Sequence, residues 1–307
     1  MGSDSAGPAI KVEGLTKRYG SQTVVDDLSF EVRAGAITGF LGPNGAGKTT
    51  TLRILLGLAR ASAGRATVLG SPYSSLTDPA RTVGASLEVS SFHPGRSGRS
   101  HLRSLCAMAS LPYSRVDEVL DLVELGSASG KRAGKYSMGM RQRLALAATL
   151  LGDPQILVLD EPANGLDPQG IRWLREFLRG RAAEGLTVLI SSHVLAEVSQ
   201  TVDDVVVIHR GCLVRQGSVG ELTGHAAGRI ALETSDPVQL SEALRKAGGN
   251  PSRPADGRLA VDGLTRHQVG DVALRAGLPL YALAEHSTSL EEVFLELTSE
   301  SEEVTPS

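Results

Sequence analysis

The stretch Gly42-Pro43-Asn44-Gly45-Ala46-Gly47-Lys48-Thr49-Thr50 constrains this chain more than any other. It fits G-x-x-x-x-G-K-[ST], a phosphate-binding loop. The glycines let the backbone curl so that several N–H groups converge on one point. That point is the N-terminus of the following helix, where the dipole also favours an anion. Lys48 adds a point charge for the β- and γ-phosphates, and Thr49 offers a hydroxyl to Mg²⁺. The flanks agree: Ala36–Leu41 reads as a buried strand, and Thr50–Leu58 carries apolar residues at helical spacing. Strand, loop and helix in that order point to a nucleoside triphosphate.

The length of 307 residues suggests two domains, or a large one with an appendage. A formal net charge of −3 gives no support for a broad electrostatic grip on nucleic acid. No apolar run approaches the roughly 20 residues needed to span a bilayer. Met1 to Ala9 has neither the basic start and apolar core of a signal peptide nor a myristoylation pattern, since Ala6 holds the Ser/Thr position. The expectation is a protein that stays in the cytosol. Cys106 and Cys212 follow no metal or redox spacing and read as free thiols.

Along the chain, residues 10–40 are β-rich and 64–70 carry a further short strand. The stretch from about 90 to 140 is richer in Ser, Arg and Gly, then helical near 115–125, and reads as a mostly helical subdomain inserted into an α/β core. Beyond it, helices at 142–151, 171–183 and 194–201 alternate with strands at 155–159, 187–191 and 205–209, which implies a largely parallel sheet. Residues 220–228 look like a linker, with the first domain spanning 10–222. A small α+β unit, 228–299, follows: strands at 229–234, 258–261 and 279–284 and helices at 237–246, 266–276 and 290–297. The ends, 1–9 and 300–307, read as flexible tails.

A phosphate loop alone covers kinases, GTPases, helicases and transport ATPases. Ile156-Leu-Val-Leu-Asp160-Glu161 is an apolar strand ending in two carboxylates. Asp160 is placed to hold Mg²⁺, and Glu161, at the strand exit, to orient an attacking water. Tyr136-Ser137-Met138-Gly139 precedes an apolar helix; taken alone, Ser137 is a plain N-cap, but hydroxyl, glycine N–H and helix terminus together form a second anion site. In order, these motifs, then Gly165-Leu166-Asp167 and a lone His193, resemble the nucleotide-binding subunit of ABC transporters over nearly all of residues 10–220.

The resemblance implies a P-loop NTPase (RecA-like) α/β fold with ATP and Mg²⁺ as ligands. It implies that Tyr19 stacks on adenine and that Glu88, where the family usually has Gln, joins Thr49 and Asp160 at the metal. Glu161 matches the catalytic carboxylate, His193 the switch histidine at the γ-phosphate, and Asp167 the loop that links two active sites. Ser137 and Gly139 would close on ATP held by a second subunit, so one copy of each motif implies a homodimer or a paired ATPase subunit.

Glu88, Met138 and Met140 depart from the commonest pattern, while Ser137 and Gly139 are retained. These departures, Glu161-Pro-Ala-Asn-Gly-Leu-Asp-Pro168 and the ending Ser289–Thr298 are similar to drug and antibiotic exporters of the daunorubicin-resistance and bacitracin-efflux branch. There the partner is a separate integral membrane permease and the ATPase sits on the cytoplasmic face of the membrane. A groove at Glu88 and the following 89–103 stretch would receive the permease's cytoplasmic helix. The alternative is a soluble ABC-type ATPase, on ribosomes or DNA or in regulation or self-resistance. Ribosome-acting members carry two cassettes, and this chain has one.

Overall fold

The computed structural model describes residues 7–87, 92–194, 200–224, 229–252 and 259–286. Glu88, most of the helix expected at 194–201, the helix expected at 290–297 and the acidic tail lie outside them. The chain divides into two compact units, Met1–Gln216 and Gly217–Ser307. The division falls just before the linker expected at 220–228.

The first unit contains two sheets. Strands β1 (Ile10–Tyr19), β2 (Gln22–Val32) and β4 (Ala63–Val68) pair antiparallel in the order β2-β1-β4. Ala9, just before β1, is already buried and donates its N–H to the Val32 carbonyl at 2.8 Å. The second sheet contains β3 (Ile37–Leu41), β5 (Val83–Ser86), β6 (Ile156–Asp160), β7 (Thr187–Ser192), β8 (Asp204–His209) and β9 (Cys212–Ser218), in the order β5-β6-β7-β3-β8-β9. Its first five strands run parallel. Every residue of β3 and β7 is buried, as expected of parallel strands covered on both faces. Register places Leu41 opposite Ser192 and Asp160 opposite Ser191, so the carboxyl ends of β3, β6 and β7 meet along one edge. Ligands of open parallel sheets bind outside that edge.

Helices α1 (Lys48–Leu55), α2 (Pro79–Thr82) and α6 (Pro168–Ala183) flank these strands. The inserted subdomain is built from α3 (Gly98–Met108), α4 (Ser114–Leu122) and α5 (Met138–Thr149). Ser97 and Ser137 cap α3 and α5 by accepting from the N–H of Ser100 and Met140. Leu102 and Cys106 of α3, Val116, Val119 and Leu120 of α4 and Leu144 of α5 are all fully buried. Arg143 stacks its guanidinium 4.0 Å from the Trp173 ring, joining α5 to α6.

The second unit begins with α7 (Val219–Gly224) and continues as β10 (Arg229–Thr234), α8 (Pro237–Lys246), β11 (Asn250–Ser252), β12 (Leu259–Asp262), α9 (Arg266–Arg275) and β13 (Leu280–His286). The sheet order β11-β12-β10-β13 is antiparallel throughout. This β-α-β-β-α-β path, with a strand of the second half between the two of the first, is the ferredoxin-like arrangement. Leu240 and Leu244, four apart on α8, turn one face into a core with Ile230, Leu232, Val261 and Val269. Asp236 caps α8, and Thr265 with Gln268 forms a capping box on α9.

Candidate nucleotide site

Helix α1 starts at Lys48 behind Gly47, whose φ of 100° is a region glycine alone enters cheaply. A Cβ on Gly47 would stand 2.8 Å from the Val24 carbonyl oxygen, and one on Gly42 would stand 2.5 Å from that of Ile208. Neighbouring backbone therefore wedges the loop on both sides. The curl closes around Lys48, whose Nζ donates to the carbonyls of Gly42 at 2.6 Å and Pro43 at 3.3 Å. The same ammonium lies 3.3 Å from Glu161 Oε1 and is only 6% exposed.

Parallel pairing of β6 with β7 assembles the acidic side. Asp160 closes β6; its Oδ2 accepts from Thr49 Oγ1 at 2.7 Å and its Oδ1 accepts from the Ser191 hydroxyl. Glu161 follows at φ 49°, a left-handed conformation uncommon for a side chain of this size. Its N–H donates to Ser191 Oγ at 3.0 Å, and its Oε2 lies 2.8 Å from His193 Nδ1. These groups surround a cleft of about 260 Å³ lined by residues 43–50 with Val24, Glu161, Asn164 and His193.

The structure thus brings together Pro43 to Thr50, Asp160, Glu161 and His193. It places others elsewhere. Tyr19 is half-exposed beneath Lys17 Nζ, 4.6 Å from its ring centre, and is not part of the cleft wall. Ser137, Gly139 and Asp167 are likewise not in that wall. Asp167 caps α6 by accepting from the Gly170 N–H at 2.7 Å. The start of α5 lies against the turn that carries Asp167: a Cβ on Gly165 would meet the Met138 side chain at 3.3 Å. Glu88 lies outside the described residues.

The sequence reading missed Ser191, Asn164 and Gln142. The Gln142 amide donates to the Pro162 carbonyl directly after Glu161. Ser191 and Gln142 each lie close to a motif residue in the chain, but a plain Ser in a strand and a Gln in a helix carry no signal until the partner is seen.

The Thr49 hydroxyl and the Asp160 carboxylate are hard oxygen donors at hydrogen-bonding distance beside the loop. That set suits Mg²⁺, which takes one or two protein oxygens and completes its shell with phosphate and water. Among the described residues there is no cluster of three or more His, Cys, Asp or Glu side chains able to hold a metal.

A second cavity, of about 490 Å³, opens between β5 and α3, with Tyr73, Leu87, Phe92, Leu105 and Met108 among its walls. His101 lines it too, its ring 6.0 Å edge-on from Phe92. Burial, aided by the Arg96 charge, holds its imidazole below the ordinary value of 6.5.

With this geometry in place, the likeness to known proteins is specific. Residues 25–164 match the family described as "ABC transporter", and residues 228–291 match a "Domain of unknown function (DUF8746)". The bacitracin transport ATP-binding protein BcrA of Bacillus licheniformis is 43% identical over 210 residues, 67% of this chain and 69% of the relative. The Nod factor export ATP-binding protein I of Ralstonia nicotianae is 40% identical over 231 residues, 74% and 72% of the two chains. A solved ATP-binding subunit of an ABC transporter superposes with a TM-score of 0.64 at 25% identity, covering 71% of this chain and 92% of that one.

Proposed function

We propose, from the premise that this chain belongs to the ABC transporter family, that it is the ATP-hydrolysing motor of a drug or antibiotic exporter. The ATP-binding domain of this family binds and hydrolyses ATP, and its exporter subunits work with membrane permeases. The observation that carries the reading is the meeting of Lys48, Thr49, Glu161 and His193 at one cleft, with Asp160 bonded to Thr49 beside it. Relatives named for bacitracin transport and Nod factor export support export of a compound made or met by the cell.

In this reading the loop N–H groups and Lys48 hold the β- and γ-phosphates, and His193 bears on the γ-phosphate. Glu161 takes the proton of the attacking water as the bond from the γ-phosphorus to the leaving oxygen breaks, giving ADP and phosphate. Thr49 and Asp160 would hold Mg²⁺, which when bound neutralises phosphate charge. Ser137 and Gly139, which do not line their own cleft, serve ATP held by a second subunit. Tyr19 serves the adenine, and Glu88 the metal.

The permease is a separate chain whose cytoplasmic segment enters the apolar cavity between β5 and α3. Among the described residues no helix is long and apolar enough to cross a membrane, so membrane association would be peripheral, through that partner. The ferredoxin-like unit braces or regulates the ATPase pair. Affinity purification of the full chain from its own membranes tests the reading. We expect a stoichiometric multi-span membrane protein; recovery with ribosomes, DNA or no membrane protein would overturn it.

A further inference from the structure

We infer that Gln142 and Ser191 are positioning residues that clamp the Glu161–Pro162 segment at its two ends and so set where the Glu161 carboxylate stands. The Ser191 hydroxyl accepts from the Glu161 N–H at 3.0 Å. The Gln142 Nε2 donates to the Pro162 carbonyl. Between these two bonds sits the single left-handed φ, 49° at Glu161, that turns the chain out of β6. A non-glycine residue in this region costs of order 1–3 kcal/mol and persists only where its surroundings over-determine it. Here the two side chains supply that determination, from a strand on one side and a helix on the other.

Neither side chain is placed as packing alone would place it. Ser191 is fully buried in a parallel strand, where an aliphatic residue is usual, and its hydroxyl also donates to Asp160 Oδ1. It therefore links the backbone of one carboxylate to the side chain of the other. Gln142 is 6% exposed, and its Oε1 is buried without a partner. An orphaned amide oxygen weighs against stability, and an apolar residue of like volume would pack without it. What the amide accomplishes is its bond to Pro162.

The location of Gln142 gives the clamp a second consequence. It lies on α5, about one turn beyond Ser137 and Gly139, and the start of that helix abuts Gly165. A shift of α5 is passed through the amide to the peptide that carries Glu161. The helix proposed to sense the partner's ATP thus holds the base of its own subunit.

This inference rests on Glu161 being the base, and the experiment separates the two. Steady-state ATPase kinetics on the full chain are measured for Gln142→Met, Ser191→Ala, Ser191→Thr and Glu161→Gln. Gln142→Met keeps volume and removes the donor; we expect kcat to fall roughly tenfold with KM for ATP within about twofold, because a base misplaced by a fraction of an ångström loses the transition state rather than ground-state binding. Its unfolding temperature holds or rises. Ser191→Ala falls in the same way, and Ser191→Thr, which restores the hydroxyl, recovers most of the loss. The double variant Gln142→Met/Ser191→Ala loses less than the product of the single losses, since both act on one peptide.

Wild-type kcat in Gln142→Met or Ser191→Ala while Glu161→Gln is inactive would overturn the clamp and leave the base standing. A rise in KM that accounts for the whole loss, or no recovery in Ser191→Thr, would overturn it as well. Wild-type turnover in Glu161→Gln would remove the base assignment itself, and the clamp with it. The Ser191 pair probes the clamp from the opposite end, so the outcome does not depend on Gln142→Met folding.

Discussion

The two units handle their backbone and polar groups in opposite ways. In the first, Asp27, Leu69, Ser110, Glu124, Asp153, Glu161 and Arg210 all hold positive φ without being glycine. In the second, among the described residues, positive φ belongs to Gly248, Gly263 and Gly277 alone. Buried side-chain atoms without partners follow the same division: those of Thr38, Arg141, Gln142, Arg181 and His209 all lie in the first unit. Of these positions Glu161 stands in the nucleotide site and Gln142 bonds to the residue after it, so at this one place the broken local rules coincide with the candidate function. The first unit has the larger buried core. The second is a small sheet with two helices over it, each helix capped by its own side chains.

The largest effect that sharpens this contrast is at Glu161. Glu161→Gln should retain ATP binding and lose about 10²–10⁴ in turnover, the usual contribution of a general base. The unfolding temperature should not fall, because the strained position carries function and not stability; equilibrium binding, turnover and calorimetry together check it.

In the second unit the reverse is expected. Leu240→Ala empties a fully buried position of the small core and should cost about 2–5 kcal/mol of that unit's stability. ATP turnover of the isolated chain should stay within about twofold. An equal fall in turnover would show that the units are energetically coupled and would break the comparison.

Gly47→Ala tests the loop. Its Cβ would meet the Val24 carbonyl at 2.8 Å in a backbone with φ 100°, so a loss of about 1–3 kcal/mol and weakened ATP affinity are expected. Asp236→Ala, by contrast, removes only a helix cap that serves Val238 and Gln239, and should cost about 1 kcal/mol, read as a small fall in the denaturant midpoint of the second unit.

The smallest expected effect concerns pH. The fold holds His101 neutral by burial, with a value below 6.5. Its contribution to stability is therefore full above pH 6.5 and declines as pH falls from there towards the lowered folded value. His101→Leu should flatten that part of the melting temperature profile between pH 7.5 and 5.5. An unchanged slope would mean that other groups carry it.

Much of the first unit was legible in the chain. The phosphate loop, Asp160–Glu161 and His193 are encoded by residue types whose local chemistry is unusual. β3 and β7 carry short apolar stretches, Phe40-Leu41 and Val188-Leu189-Ile190, beside the nucleotide motifs. Helix α3 was not legible, because Gly98–Met108 is rich in Ser and Arg and its apolar stripe is short. Strand β11 escaped for a related reason: it has three residues, with Pro251 in its centre, and proline usually argues against a strand. Without β11, the second unit read as simple alternation, and its antiparallel order stayed hidden.

By itself, then, the sequence determined the ligand class, the order of the nucleotide motifs and the boundaries of most strands and helices, since each depends on neighbours a few residues apart. Only the tertiary structure decided that Ser191 would join Asp160 to Glu161, that Gln142 would hold Pro162, and that Tyr19 would stand outside the cleft wall. The register of β6 against β7 and the seating of α5 are set by core packing summed over many residues. Contacts between positions 20 to 30 apart in the chain, such as Gln142 with Pro162 and Glu161 with Ser191, exist only after that packing is complete.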